Sequence, residues 1–247
     1  MDNSSRPIII EGAMESEMSI IFAAMTDRQD GDIMCYPVTH GCIDGYPVIA
    51  ARTRVGMTNA AILTTALCME YSPLCIISQG TAGSHCEDLH TGDIVLGEKL
   101  CCMNSFAMAK DDARELEALS RGEWHARRTF ESDENLLNIA RSVPYPHGRL
   151  VGGAIGSADF WTHGDDNIRA LRENYGTTCE EMESFAAAWA CDRAKTPFLA
   201  IRVLSNNELI GEDFDVKAAE YCQEYTLDVM RRIINGKNMN RAGSISE

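Results

Sequence analysis

Three short apolar runs in this chain each end in a cluster of glycines, hydroxyls or amides. Pro7-Ile8-Ile9-Ile10-Glu11 runs into Gly12-Ala13-Met14, and Leu74-Cys75-Ile76-Ile77-Ser78 into Gly80-Thr81-Ala82-Gly83-Ser84. Pro197-Phe198-Leu199-Ala200-Ile201-Arg202 leads to Ser205-Asn206-Asn207. Continuous apolar runs this short read as strands covered on both faces. Tyr46 to Ala51, Asp93 to Glu98 and Leu150 to Gly156 read as further strands. Helical spacing lies between them: Met14 to Ala24, with Met14, Met18, Ile21 and Phe22 apolar; Thr58 to Glu70, capped by Thr58, with Ala60, Ala61, Leu63 and Ala66 inward; Asp133 to Ser142; Glu183 to Arg193; and Val216 to Ile234. This alternation predicts an α/β fold, a sheet with helices on both faces. Ligands collect at the carboxyl ends of strands in such sheets, so the three clusters are expected to converge on one site.

The 247 residues suit a single domain, with a core over 7–234 and a polar tail over 235–247 that is expected to fray. The polar segment 110–132 reads as a surface excursion. A formal net charge of −15 would repel nucleic-acid backbone and anionic membrane, but not a nucleoside without phosphate. Residues 1–7 lack the pattern of a signal peptide, and no apolar stretch is long enough to span a bilayer. The ten cysteines include no Cys-x-x-Cys pair, and several lie in apolar runs. They read as reduced core thiols of a cytoplasmic protein. Structural zinc needs paired spacing, so the neighbours His85 and Cys86 do not amount to a metal site.

The candidate residues each have two readings. Glu17, one turn behind Gly12-Ala13-Met14, is either a general base facing the cleft or a solvated first-turn acid favoured by the helix dipole. Gly80 to Gly83 offer backbone N–H groups and a hydroxyl, as an anion or sugar cradle or as a tight turn. No Lys-Ser/Thr pair follows, which argues against a triphosphate P-loop. Glu181 and Glu183 flank Met182 at a helix start; one carboxylate can accept both hydroxyls of a ribose diol, or both are plain first-turn acids. Trp161 follows a strand and either stacks on a flat base or packs in the core.

In order and spacing, Ile8-Ile9-Ile10-Glu11-Gly12-Ala13-Met14-Glu15-Ser16-Glu17, Gly80-Thr81-Ala82-Gly83, Gly92-Asp93-Ile94-Val95, Glu181-Met182-Glu183 and Arg202-Val203-Leu204-Ser205 resemble the purine and uridine phosphorylase superfamily, most of all its methylthioadenosine/S-adenosylhomocysteine nucleosidase branch. The resemblance runs from about Pro7 to Ile234 and is interrupted around 101–132. It implies a single α/β domain around a mixed, partly closed sheet, a homodimer, a purine nucleoside as ligand and no cofactor or metal. It also implies roles. Glu17 matches the residue that activates water, Glu183 the acid that holds the ribose hydroxyls, and Met182 the residue against the sugar. Ala13 and Met14 belong to the first loop of the site, and Thr81, Ala82 and Gly83 to the loop beside base and sugar. Trp161 matches a base-stacking residue, and Thr162 a position whose main chain contacts the base. Met57 matches an apolar contact, Arg202 and Ser205 support the site, and Phe214 matches an apolar lid residue.

Two departures bear on the chemistry. Ser78 stands where the phosphorylases carry a phosphate-binding arginine, which favours water as the nucleophile. Asn206 stands where the nucleosidases carry an aspartic acid that protonates N7 of the leaving purine; an amide is no general acid. Asn206 can still face adenine with its NH₂ toward N7, or face a 6-oxopurine with its NH₂ toward O6. The expected function is hydrolysis of a purine nucleoside N-glycosidic bond. The alternatives are a phosphorylase, and a nucleoside-binding protein that has lost efficient catalysis.

Overall fold

The computed structural model describes residues 6–104, 106–108, 116–118 and 129–243. Its strands are β1 (Ile8–Gly12), β2 (Thr26–Ile33), β3 (Tyr36–Ile43), β4 (Tyr46–Arg52), β5 (Cys75–Ser84), β6 (Ile94–Cys102), β7 (Phe106–Met108), β8 (Leu116–Ala118), β9 (Thr129–Phe130), β10 (Leu150–Ser157), β11 (Cys179–Glu181) and β12 (Phe198–Asn206). The helices are α1 (Ser19–Ala24), α2 (Met57–Tyr71), α3 (Glu134–Arg141), α4 (Asp165–Tyr175), α5 (Ser184–Ala194) and α6 (Ala218–Gly243).

Ten of the strands form one mixed sheet in the order β11-β10-β6-β12-β5-β1-β4-β3-β2, with β9 on β6. β1 is parallel to β4 and β5, and β12 is parallel to β5 but antiparallel to β6. β11 pairs with β10 and also, antiparallel, with β5, which closes half of the sheet into a ring. This is the expected mixed, partly closed sheet flanked by helices.

Both faces of the sheet are dry. Ile8, Ile10, Ile77, Ile201 and Val203 pack with α1, α3 and α6 on one side. Ile9, Ile49, Ile76 and Ala200 pack with Leu63 and Leu67 of α2 and Ala187 and Cys191 of α5 on the other. The period-two alternation of strand side chains thus explains why three consecutive isoleucines are all buried. The ten cysteines form no disulfide, and seven are buried. No helix among the described residues is long and apolar enough to cross a membrane.

Several expectations need correction. The first helix, expected from Met14, is a 3₁₀ turn over Glu15–Glu17 followed by the short α1. Gly56, at φ +106°, precedes α2 in place of a Thr58 cap, and Thr64 and Leu67 are buried where Ala61 and Ala66 are only half-buried. Gly80 to Ser84 and Ser205-Asn206 are not loops but the ends of β5 and β12, held extended by their neighbours in the sheet. β2, β3, α4 and β11 are not among the elements expected from the sequence. The tail expected to fray from Asn235 continues α6 to Gly243; it holds no proline to stop the helix. Most of the segment read as a surface excursion (110–132), and the residues before Arg6, lie outside the described residues.

Candidate active site

The carboxyl ends of β1, β5, β11 and β12 meet around Arg202, which is 2% exposed. Its guanidinium donates to Glu181 from Nε (3.1 Å) and Nη2 (2.6 Å), and to Ser78 through the backbone carbonyl (3.1 Å) and Oγ (3.2 Å). Ser78 is thus a ligand of the buried arginine. Burial opposes the charge of Arg202, but Glu181, Glu183 and Glu17 outweigh it and hold its pKa above the ordinary value.

Glu181 and Glu183 have separate tasks. Glu181 ends β11, and its carboxylate also accepts from Ser184 N (2.9 Å), Ser184 Oγ (3.0 Å), Glu183 N (3.0 Å) and Ser157 Oγ. With Arg202 these donors consume its lone pairs, so it anchors the start of α5 and has none left for a ligand. Glu183 precedes α5. Its Oε1 accepts from the Gly56 backbone N–H at 2.9 Å, and its Oε2 lies 4.0 Å from Arg202 Nη2 and accepts no hydrogen bond among the described residues. Burial, then the Glu181 charge, push its pKa up to about 8.

Glu17 is buried and closely held. Oε2 accepts from the N–H groups of Ala13 (3.0 Å) and Met14 (3.1 Å), and Oε1 from Thr81 N (2.9 Å) and Thr81 Oγ1 (3.0 Å). Only glycine fits at position 80, because a Cβ there would lie 2.8 Å from Glu17 Oε1. Of the four donors, the Thr81 hydroxyl alone can rotate away and expose a lone pair to water.

The base end is built on Gly83. The register of β12 on β5 slips between Leu204 and Asn206, so that Ser205 is a bulge and Asn206 stands beside Gly83. The Ser205 hydroxyl lies 3.2 Å from the Ala82 carbonyl and 3.3 Å from Asn206 Oδ1. A Cβ on Gly83 would be 3.5 Å from Asn206 Oδ1 and 3.5 Å from the Trp161 ring. Amide and indole thus both lie against Gly83, and Trp161 is 42% exposed rather than packed in the core.

The remaining expected residues divide. Ala13, Thr81, Ala82, Gly83 and Ser205 are part of this assembly. Met182 is half-buried between the two glutamates, and Met14 and Phe214 are exposed at the rim, with Asp215 N bound to the Ser205 carbonyl at 2.7 Å. Thr162 is buried, with N–H and hydroxyl both donated to Glu180. Met57 instead lines an apolar groove of about 710 Å³ between α2 and α5, with Met69, Phe185 and Trp189.

The model of the phosphorylase superfamily matches residues 7–235. The chain belongs to this superfamily. It is 30% identical, over 80% of its length and 84% of the relative's, to a 5′-methylthioadenosine/S-adenosylhomocysteine nucleosidase of Actinobacillus succinogenes. The nucleosidase of that name from Colwellia psychrerythraea, solved in complex with adenine, superposes with a TM-score of 0.78 at 25% identity, covering 92% of this chain and 96% of that one. Futalosine hydrolase of Helicobacter pylori has the same fold, with a TM-score of 0.80 at 21% identity over 92% and 98%.

Three parts of this superfamily member's site escaped the reading of its sequence. Glu180 is one residue from Glu181, but on the short β11 the two point to opposite faces. The Gly56 N–H that holds Glu183 comes from a residue distant in sequence. Ser157, which braces both Glu181 and the Phe185 N–H (2.9 Å), looks like any strand-end serine.

Proposed function

We propose that the protein hydrolyses the N-glycosidic bond of a purine nucleoside. The observation that carries this reading is the division of labour along β5: Thr81 holds Glu17, and two residues on, about 7 Å away, Gly83 stands against the Asn206 amide and the half-exposed Trp161 ring. Sugar and base of one nucleoside span such a distance. The base lies over Gly83 with Trp161 against its face, and the ribose lies toward Glu183 and Met182.

Glu183 accepts the ribose hydroxyls through Oε2. As the glycosidic bond breaks, the ribosyl group gains positive charge, and the surrounding Glu17, Glu181 and Glu183 favour that charge over the neutral ground state. Arg202 keeps these carboxylates together at tolerable cost. Glu17 draws a proton from the attacking water once the Thr81 hydroxyl rotates off Oε1. Asn206 stabilises the departing base by hydrogen bonds to its imidazole side and the neighbouring ring edge.

Water rather than phosphate is the nucleophile, because the nearby arginines are already engaged: Arg202 by Glu181 and Ser78, and Arg52 at the rim by Glu15. The apolar groove between α2 and α5 supports a homodimer as the working assembly. Base release from methylthioadenosine, adenosine, inosine and guanosine, followed by chromatography with and without phosphate, tests the reaction. Release of free base and free sugar without phosphate is expected. A strict requirement for phosphate, with sugar phosphate as product, would refute the hydrolase.

A further inference from the structure

Gly83 has two partners. On one side it stands in register with Asn206 of β12, and on the other with Glu180 of β11. Residues directly opposite in a ladder point to the same face, so Asn206, Gly83 and Glu180 form a row across three strands. Strand spacing sets the outer two Cα atoms about 10 Å apart. The glycine adds no side chain between them, and the half-exposed Trp161 ring lies against it beside the Asn206 amide. A flat ring that takes the place of the Trp161 ring edge here, with the indole swung onto its face, has a wall on each side, the Asn206 amide and the carboxylate of Glu180.

The second wall is a closed polar unit. Glu180 is buried; its Oε1 accepts from Thr162 N at 3.0 Å and its Oε2 from Thr162 Oγ1 at 2.6 Å. His85, equally buried, stands behind it with Nε2 at 3.4 Å from Oε2 and Nδ1 at 2.7 Å from Thr177 Oγ1. Thr162 has thus spent both its donors. What the unit has left for a ligand are acceptors: a lone pair on Oε1 and those of the Thr162 hydroxyl oxygen.

An acceptor wall sorts purines. Adenine carries a lone pair on N1, and against Glu180 it meets like with like. Hypoxanthine and guanine carry a hydrogen on N1, and guanine also an amine on C2, and these can be donated. The opposite wall suits the same bases, since the Asn206 NH₂ can donate to O6 while its carbonyl accepts from N7 once that atom holds a proton. Resting on the nucleoside reading above, we propose that Glu180, through its hold on Thr162, is a specificity-determining residue that selects 6-oxopurine nucleosides over adenine nucleosides.

The test compares kcat/KM for inosine, 1-methylinosine and adenosine in the wild-type protein and in Glu180→Gln. Inosine is expected to exceed adenosine by about tenfold or more, a modest ratio for a site built around a substrate N–H. 1-Methylinosine, which lacks the N1 hydrogen, should fall to the adenosine level or below. In Glu180→Gln the amide oxygen keeps the Thr162 N–H and its NH₂ donates to the Thr162 hydroxyl, which is then free to donate to N1 of adenine, so the inosine-to-adenosine ratio should drop about tenfold. A structural role alone would lower both substrates by one factor and leave the ratio unchanged, which overturns the proposal, as does a wild-type preference for adenosine. Should no nucleoside be cleaved, the hydrolase reading fails by itself. Calorimetric titration of the wild-type protein with hypoxanthine, 1-methylhypoxanthine and adenine then decides the wall: tighter hypoxanthine supports it, and tighter or equal adenine overturns it.

Discussion

Glu17 and Glu183 are both buried acids, but their surroundings assign them different work. Glu17 is fixed by three backbone N–H groups and one hydroxyl, so its position relative to a water is preset. Glu183 has one backbone partner, and its Oε2 accepts no hydrogen bond among the described residues. Replacing Glu17 with Gln retains the shape and removes the base. It should lower kcat by about 10²–10⁴ with little change in KM, as read by steady-state base release. An unchanged kcat would remove Glu17 from the proton path. Asn206 is the opposite case, a residue that lacks a proton to give. Asn206→Asp places an acid at the same buried spot beside Gly83, where it can protonate N7. Turnover of adenine nucleosides should rise by at least about tenfold if base departure limits the rate. The Asn206→Asp and wild-type rates on adenosine and methylthioadenosine, compared under single-turnover conditions, settle it.

The elements that bring these residues together differ in how visibly the sequence announces them. Ile8-Ile9-Ile10 and Leu199-Ala200-Ile201 are legible as covered strands because both of their faces are buried. β2, Thr26-Asp27-Arg28-Gln29-Asp30-Gly31-Asp32-Ile33, is an exposed edge strand whose charges carry no apolar period. The glycines of β5 look like a loop because the force that extends them, pairing with β12 on one side and β11 on the other, comes from residues far along the chain. The site is legible to the same degree. Glu17, Glu183 and Asn206 stand at recognisable places in their motifs, whereas Glu180 depends on the alternation of a three-residue strand. The end of α5 gives a prediction of its own. Lys195 closes this helix at φ +56°, ψ +37°, a left-handed conformation that costs a residue with a Cβ, and its side chain is 82% exposed. Lys195→Gly should stabilise the protein by about 0.5–1 kcal/mol in urea unfolding, with base-release kinetics unchanged. A lower midpoint would show that its Asp192 contact matters more than the backbone.

For the whole molecule, two buried carboxyls couple stability to pH. Burial raises Glu11, on β1, to about 8; the hydrogen bond from Thr64 and the nearby Arg202 oppose this only in part. Glu183 is raised to about 8 as well. Unfolding returns each to the ordinary value near 4.5. Between that value and 8 the folded protein therefore holds protons that the unfolded chain releases. The unfolded state binds fewer protons, so stability is greatest below the lower value and is lost as pH rises toward the upper one. Each group contributes a slope of at most about 1.4 kcal/mol per pH unit. Urea unfolding from pH 5 to pH 8 should show this decline. Glu11→Gln, which keeps an acceptor for the Thr64 hydroxyl, should flatten it by up to one proton's share; an equal slope in the two proteins would mean that Glu11 does not hold a proton when folded. Activity should move the other way. Glu183 favours the ribosyl cation only when ionised, so kcat/KM should climb through the same interval, reach half its maximum near pH 8 and level off about one unit higher. A protein that gains rate and loses stability over one pH range, with Glu11→Gln changing the second and not the first, would place the two effects on different carboxyls of one buried cluster.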